Sequence, residues 1–266
     1  MFKSIGILNA FIRRDFLEQN RYAPAWIKRI VSIFFEVYTT YFIAQLFNGN
    51  PSLDAYGGSY FEYAIIGGVI YQLIYALMSA LPRVIDRAQY QGTLEPLLTS
   101  PSPLWLILIG ACSYNTLFEF LNIILFITAA WIVEPPVFAA QPHWGIVSIV
   151  IILHILAAWA IGIISASLVL AYKVVTPLDS WILSACSFLA GYFYPISIMP
   201  NFLQTVAALF PFTYGIQALR LAIQGQILWS AIAIFSSFTI VLLILAYWSF
   251  PKSLVIARHD GTLTYQ

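Results

Sequence analysis

Two acidic residues, Glu36 and Glu119, lie inside stretches of the sequence that are otherwise almost entirely apolar. Each belongs to a row of polar residues at helical spacing, since residues three, four or seven apart share one face of a helix. The rows are Ser32, Glu36, Thr39 and Thr40, and Asn115, Glu119 and Asn122. A charge in apolar surroundings costs free energy, so a structural or functional role is expected for each glutamate. The rows either form interhelical hydrogen bonds, with the glutamates protonated or paired, or line a substrate path or proton relay.

The sequence contains no pattern typical of catalysis or metal binding. We find no acid pair at fixed spacing and no Ser/Lys or His/Asp constellation of the kind that a membrane-embedded enzyme needs. Cys112 and Cys186 lie in apolar runs without a CxxC or Cys/His neighbour, and His143 and His154 lack a second ligand at metal spacing. No GxxxxGK[ST] phosphate-binding loop is present. We therefore expect no catalytic residue, no metal and no cofactor bound by this chain.

The composition predicts that these rows lie in membrane-spanning helices. Of 266 residues, 61% are hydrophobic and 9% are charged, whereas soluble domains carry about 25% charged residues. A bilayer core of about 30 Å requires a helix of about 20 apolar residues. Such runs predict six spans, near 27–47, 61–81, 104–132, 145–171, 180–195 and 227–250. The stretch 180–225 is interrupted by glycine and prolines, so only its first part is assigned to a span.

The basic residues predict the orientation of the chain. With six spans and a cytoplasmic N-terminus, eleven of the twelve Lys and Arg residues fall in cytoplasmic segments, and only Arg220 falls outside. Both termini are then cytoplasmic. Residues 1–24 place apolar side chains at helical spacing among charges, which favours an amphipathic helix on the membrane surface. The segment also resembles a twin-arginine signal, but charged residues interrupt the apolar region that such a signal needs.

The longest predicted cytoplasmic connection is the 83–103 segment, RVIDRAQYQGTLEPLLTSPSP. A short helix is expected to run to about Gln91 and to stop at Gly92, because glycine tolerates a left-handed cap. Ser102 and Pro103 suit the beginning of the next helix. The segment is either an ordinary solvated loop or a docking surface for a cytoplasmic partner.

Two motifs in these positions resemble those of type 2 ABC transporter permeases. The run QGTLEPLLTSPSP is similar to the family's cytoplasmic coupling segment, with its Gly-Thr-Leu-Glu core followed by a hydrophobic pair and a proline. The run YPISIMPNFLQTVAALFPFTYGIQALRLAIQG is similar to the second signature, in which Pro-x-Thr-Tyr and an Arg follow spaced prolines. With six spans and a surface helix, the resemblance covers essentially the whole chain as one permease domain, 1–266.

The resemblance implies an all-α integral membrane fold with six transmembrane helices, an N-terminal surface helix and a cytoplasmic coupling helix between spans 2 and 3. An outer-leaflet re-entrant helical hairpin is expected between spans 5 and 6, at 196–225. Carried over by position, the residues that couple to the ATPase are Arg83, Asp86, Arg87, Gly92, Thr93, Leu94 and Glu95. Those of the re-entrant segment are Pro195, Pro200, Pro211, Tyr214 and Arg220. Arg220 either anchors that segment or meets an anionic substrate.

The function implied is that of the permease subunit of an ABC exporter in a bacterial inner membrane. It works as a dimer, expected to be a homodimer, with two ATP-binding cassette subunits that hold ATP and Mg. Membrane lipid is a further partner, and nucleic acid is not. The substrate class is an amphiphile, drug, lipid-linked glycan or polysaccharide. A proton-coupled secondary carrier and a membrane-embedded lipid-modifying enzyme are the alternatives.

A line of small residues on the predicted fourth span indicates close helix packing. Ala158, Gly162 and Ala166 are four residues apart and let another backbone approach. Whether that backbone belongs to the same subunit or to a second copy is open at this level.

Overall fold

The computed structural model describes residues 2–19, 24–47, 59–94, 96, 104–135, 141–172 and 178–259. Within these ranges the regular structure is helical. The helices are α1 (Phe2–Gln19), α2 (Pro24–Phe47), α3 (Tyr60–Tyr90), α4 (Leu104–Val133), α5 (Trp144–Tyr172), α6 (Leu178–Leu189), α7 (Asn201–Ala208), α8 (Pro211–Ile223) and α9 (Trp229–His259). A 3₁₀ turn, Ile196–Ile198, lies between α6 and α7.

Helices α3, α5 and α9 form the centre of the bundle. Helix α5 packs against α3 on one side and α9 on the other, α4 packs on α3, and both α1 and α2 pack on α4. The central pair is close because Gly162 has no side chain. A Cβ at this position would lie 2.8 Å from the carbonyl oxygen of Met78 on α3. The line of small residues on α5 therefore meets a helix of the same chain, which the sequence left open.

Helix α3 is longer than predicted, and this corrects the expectation of a separate coupling helix. The span predicted at 61–81 and the helix expected to follow it form one continuous helix through Pro82. A proline inside a helix removes one backbone hydrogen bond and usually bends or ends it. Here the last turns are stabilised by packing, because Ile85 and Ala88 are buried in a cluster with residues of α5 and α9.

This cluster defines the end of the bundle at which α3, α5 and α9 all terminate. It contains Ala166, Val169 and Leu170 of α5 and Ala257 of α9. Because Arg83, Arg87 and Lys252 are exposed at this end, we call it the basic end. The other end, at which α3, α5 and α9 begin, is the opposite end.

The described residues contain four helices long and apolar enough to cross a membrane: Tyr60–Tyr90, Ile109–Val133, Trp144–Tyr172 and Trp229–Ala257. A fifth crossing results only if α7 and α8, which meet at 90°, count as one span. Helix α2 is not among the four, and its apolar sequence is interrupted by the polar row Ser32, Glu36, Thr39 and Thr40. Helix α6, with 12 residues, is shorter than predicted, because the chain turns at Gly191 with φ of +77°. Four of the six predicted spans are thus found among the described residues, and the possible fifth crossing falls in the segment predicted to be re-entrant.

Candidate functional site

The basic end carries the first part of the 83–103 segment on the last turns of α3. The helix ends in a Schellman motif, in which the N–H of Thr93 donates to the carbonyl of Ala88 at 2.9 Å and that of Gly92 to Gln89 at 3.2 Å. Gly92 has φ of +66°, a left-handed conformation that glycine adopts without the penalty of a Cβ. The chain therefore reverses direction at the residue that the sequence predicted.

The residue that follows this turn is folded back onto the bundle. Leu94 is 3% exposed and packs in the cluster at the ends of α3, α5 and α9. Its side chain thus ties the turn to three helices and is not presented on the surface. By contrast, the remaining described residues predicted to couple to an ATPase are exposed: Arg83, Asp86, Arg87, Gly92 and Thr93. Glu95 and residues 97–103 lie outside the described residues.

At the opposite end, Arg220 joins three parts of the chain. It is 3% exposed, and its terminal nitrogens donate to the carbonyl oxygens of Gly191 at 2.7 Å, Tyr192 at 2.7 Å and Tyr63 at 3.1 Å. The guanidinium also lies over the ring of Tyr63, 3.4 Å from its centroid. The Tyr63 hydroxyl donates to the same Gly191 oxygen at 2.8 Å. These contacts connect the last turn of α8 to the first turn of α3, as expected of an anchor.

The backbone after α6 lies unusually close to α3 near this anchor. A Cβ at position 67 would come within 1.7 Å of the Tyr192 carbonyl oxygen. Because backbone atoms cannot move aside as a flexible side chain can, only glycine fits at Gly67. This glycine was not singled out in the sequence, where nothing distinguishes it from its neighbour Gly68.

The segment 191–225 begins and ends at the same end of the bundle. It begins at Gly191, held by Tyr63 and Arg220, and it ends where the carbonyl of Ala222 accepts the N–H of His143, just before α5, at 2.9 Å. Between these points the beginning of α8 lies deeper. There Gly215 approaches the ring of His154, three turns into α5, so closely that a Cβ would be 2.7 Å from Cε1.

The prolines predicted for this segment stand at the beginnings of its helices. Pro195 precedes the 3₁₀ turn, Pro200 caps α7, and Pro211 is the first residue of α8. At such positions the missing N–H costs nothing, because first-turn N–H groups have no partner within the helix. The Tyr214 hydroxyl donates to the Ala208 carbonyl at 2.7 Å, which closes the angle between α7 and α8.

The two polar rows lie at helix contacts, and each glutamate receives a donor from another helix. Gln72 of α3 donates to Glu36 of α2 at 3.3 Å. Arg29 of α2 lies 3.4 Å from Glu119 of α4, which also accepts from Asn122 at 3.1 Å. Of the remaining members of the rows, Ser32, Thr39 and Asn115 are exposed, whereas Thr40 is half-buried and donates to the carbonyl of Glu36 at 2.8 Å. Sequence reasoning missed the partners Arg29 and Gln72, because a helical face does not reveal which helix it meets.

A buried carboxylate at the beginning of α6 was also missed. Asp179 is 4% exposed and accepts a hydrogen bond from the Ser165 hydroxyl of α5 at 2.7 Å. The same hydroxyl oxygen accepts the Asp179 N–H at 3.2 Å. An aspartate in the first turn of a helix is a common feature, so the sequence offered a signal for a helix start but none for the contact with α5.

Comparison of the sequence with known proteins matches this chain to one family. The family described as "ABC-2 type transporter" matches residues 8–224, most of the chain. Curated relatives include the inner membrane transport permease YadH of Escherichia coli K12 and its counterpart in Shigella flexneri. Each is 22% identical over 209 residues, which cover 78% of this chain and 80% of the relative. The resemblance seen in the sequence is thereby confirmed, and the chain belongs to the ABC-2 type transporter family.

Proposed function

We propose that this chain is the membrane permease subunit of an ATP-driven exporter, located in a bacterial inner membrane. The observation that carries the proposal is the exposed turn at the basic end, held on a rigid base. Family membership supports a transport subunit that works with a separate ATP-binding subunit. The relatives named as inner membrane transport permeases support the location.

The docking surface for two ATP-binding cassette subunits is formed by Arg83, Asp86 and Arg87 on α3 and by the turn at Gly92 and Thr93. These residues are exposed on a helix that continues without a break into the centre of the bundle. Movement imposed on the turn is therefore transmitted along α3. Leu94 contributes by holding the turn against α5 and α9, and Glu95 extends the surface. ATP and Mg are bound by the partner.

We further propose six spans, with α2 and α6 added to the four long apolar helices. Helix α2 has 24 residues and is about 36 Å long at 1.5 Å per residue, which exceeds the hydrocarbon core of about 30 Å. Helix α6 runs from the level of Ser165, near the end of α5, to that of Tyr63 in the first turn of α3. Both termini then lie on the cytoplasmic side.

In the same proposal, 196–225 is a re-entrant hairpin in the outer leaflet and not a broken span. A single span begins and ends on different sides of the bilayer, whereas Gly191, just before this segment, and Ala222, near its end, are both bonded at the opposite end of the bundle. Irregular backbone at membrane depth is tolerated where other protein groups form hydrogen bonds with its N–H and C=O groups. Here Arg220 and the Tyr214 hydroxyl donate such hydrogen bonds to backbone carbonyls of the segment and of the turn before it. A homodimer provides the translocation path, to which the exposed parts of the two polar rows contribute.

Co-purification tests the partnership directly. Detergent-solubilised wild type should retain an ATP-binding subunit from its native membrane, and Arg87→Glu in the docking surface should lose it. The matched control is Gln226→Glu, an exposed position beyond α8 at the opposite end, which should retain the subunit. If wild type retains no ATP-binding subunit under mild conditions, the exporter proposal fails and a proton-coupled carrier or a lipid-modifying enzyme becomes the better explanation.

Labelling with an impermeant maleimide in intact cells tests the orientation. The chain would first have both native cysteines, Cys112 and Cys186, replaced by alanine. A cysteine at position 226 should then be labelled from outside, and one at position 93 only after the membrane is permeabilised. Labelling of both from outside would refute the six-span arrangement.

A further inference from the structure

Helix α2 has two chemically different flanks, one on each side of the stripe that packs against the bundle. The buried residues of the stripe are Ile33, Val37 and Ala44. On one flank the phenylalanines are each more than half exposed: Phe34, Phe35 and Phe42. On the other flank the polar row is exposed: Ser32, Glu36 and Thr39. Polar side chains within a bilayer face a water-filled cavity or other protein groups, whereas apolar ones face lipid. The polar flank is therefore the one directed towards the translocation path.

Glu36 lies halfway along α2 and has no counter-charge close to it. It is about 18 Å from the beginning of the helix at Pro24, at 1.5 Å per residue. No Lys, Arg or His nitrogen in the described parts of the chain lies within 4.0 Å of its carboxylate. The nearest basic residue within the preceding two turns of α2, Arg29, already contacts Glu119 at 3.4 Å. A carboxylate at this depth is costly unless a cation reaches it from outside the subunit.

The surroundings of Glu36 hold its carboxylate in place and leave one oxygen open. The side-chain amide of Gln72 on α3 donates to Oε1 at 3.3 Å. Gln72 carries no charge, so the carboxylate keeps its full attraction for a cation. Ile43, seven positions further along α2 and therefore on the same flank, is 40% exposed. The flank thus offers an anionic oxygen, Oε2, and an apolar side chain two turns away.

We propose that the polar flank of α2 recognises a lipophilic organic cation and that Glu36 determines this specificity. The positive group of the ligand contacts Oε2 of Glu36, and its apolar part lies against Ile43. Gln72 is a positioning residue, because it holds the carboxylate by its other oxygen. The inference rests on the proposed function, in which this flank contributes to the translocation path, and it names the substrate class of that path. A homodimer presents two such carboxylates.

Equilibrium dialysis of the full-length chain in phosphatidylcholine nanodiscs tests this proposal. The probes are tetraphenylphosphonium and tetraphenylborate, which have the same shape and opposite charge, and empty nanodiscs give the lipid background. Wild type should bind the phosphonium above background and the borate not. Glu36→Gln keeps the size of the side chain and removes its charge, so it should weaken phosphonium binding about tenfold to a hundredfold. The matched control is Glu134→Gln, at a half-buried position just beyond α4, which should bind like wild type.

A conservative variant and a second readout keep the test decisive. Glu36→Asp retains the charge and should bind the phosphonium more tightly than Glu36→Gln, and the thermal unfolding temperature reports whether each variant is folded. Equal binding of the two probes by wild type would overturn the proposal, as would unchanged phosphonium binding in Glu36→Gln, which would leave Glu36 as a neutral partner of Gln72. Co-purification of an ATP-binding subunit separates the two hypotheses: if wild type retains the subunit but shows no preference for the cation, only the substrate class is refuted.

Discussion

Gly162→Ala tests whether the contact between α3 and α5 sets the stability of the bundle. The new Cβ would lie 2.8 Å from the Met78 carbonyl oxygen, 3.2 Å from that of Leu77 and 3.3 Å from the Met78 Cα, whereas ordinary contacts begin at 3.4 Å. The helices must therefore separate by roughly 0.6 Å, and a gap of this size forfeits about a quarter to a half of each dispersion contact. The neighbouring alanines of α5 are fully buried, so this loss is spread along the whole contact.

We expect Gly162→Ala to cost about 2 kcal/mol, within the range for overpacked cores. The thermal unfolding temperature should fall by roughly 4–8 °C if the relation for soluble chains of similar length applies. Fluorescence-detected size-exclusion chromatography after heating measures this shift in detergent. The change from glycine to alanine by itself favours a helix by about 1 kcal/mol, so a net loss can come only from the contact.

The matched control is Gly145→Ala on the same helix. A Cβ at position 145 has nothing within 4 Å, so this variant should be neutral or slightly more stable than wild type. Gly67→Ala should be worse than Gly162→Ala, because its Cβ would come within 1.7 Å of a carbonyl oxygen. If Gly162→Ala is as stable as Gly145→Ala, the proposed close packing of α3 on α5 is refuted.

Three further predictions concern the two ends of the bundle. Arg220→Ala should lower the free energy of unfolding by about 3–5 kcal/mol, since buried carbonyls lose a charged donor. Arg220→Lys should recover only part of this loss in the same heating assay. Full recovery would contradict a role for the planar guanidinium. Gly92→Ala should destabilise the turn by about 1–2 kcal/mol, because alanine is strained at the left-handed φ of this position. It should weaken retention of an ATP-binding subunit without changing the global unfolding temperature. Unchanged retention would show that the turn does not take part in docking. Ser165→Ala should lower the free energy of unfolding by about 1–3 kcal/mol, because the buried carboxylate of Asp179 loses its donor. Ser148→Ala, at an exposed position of the same helix, should lower it by less than about 0.5 kcal/mol. Equal effects of the two variants would show that the contact between α5 and α6 is unimportant.

The apolar runs of the sequence predicted the helices that form the bundle. Helix α2 was predicted at 27–47 and α4 at 104–132, and they occupy 24–47 and 104–133. The agreement has a physical reason, because in lipid each backbone N–H and C=O must be satisfied within its own segment. Length and apolarity of a run are then sufficient to place a helix.

Breaks in the chain were also predictable where one residue type decides them. Gly92 and Gly191 both have positive φ, a conformation that other residues adopt only at a cost. Pro200 and Pro211 stand at helix beginnings, where their missing N–H is harmless. The prediction for the end of the span in α3 was wrong in one respect. Pro82 does not separate the span from the helix that follows it, because α3 continues through this proline. Packing of Ile85 and Ala88 against two other helices outweighed the local effect of the proline.

The sequence by itself therefore determined the helical membrane class, the family motifs and the positions of the turns. Only the tertiary structure decided which helix meets which: that Gly162 faces Met78 of the same chain, and that Arg220 reaches the carbonyl of Tyr63, 157 residues away. It also decided that Leu94 is buried and that Gln72 is the partner of Glu36. Helical periodicity specifies the face on which a residue lies, but contacts between distant segments arise only when several faces pack at once.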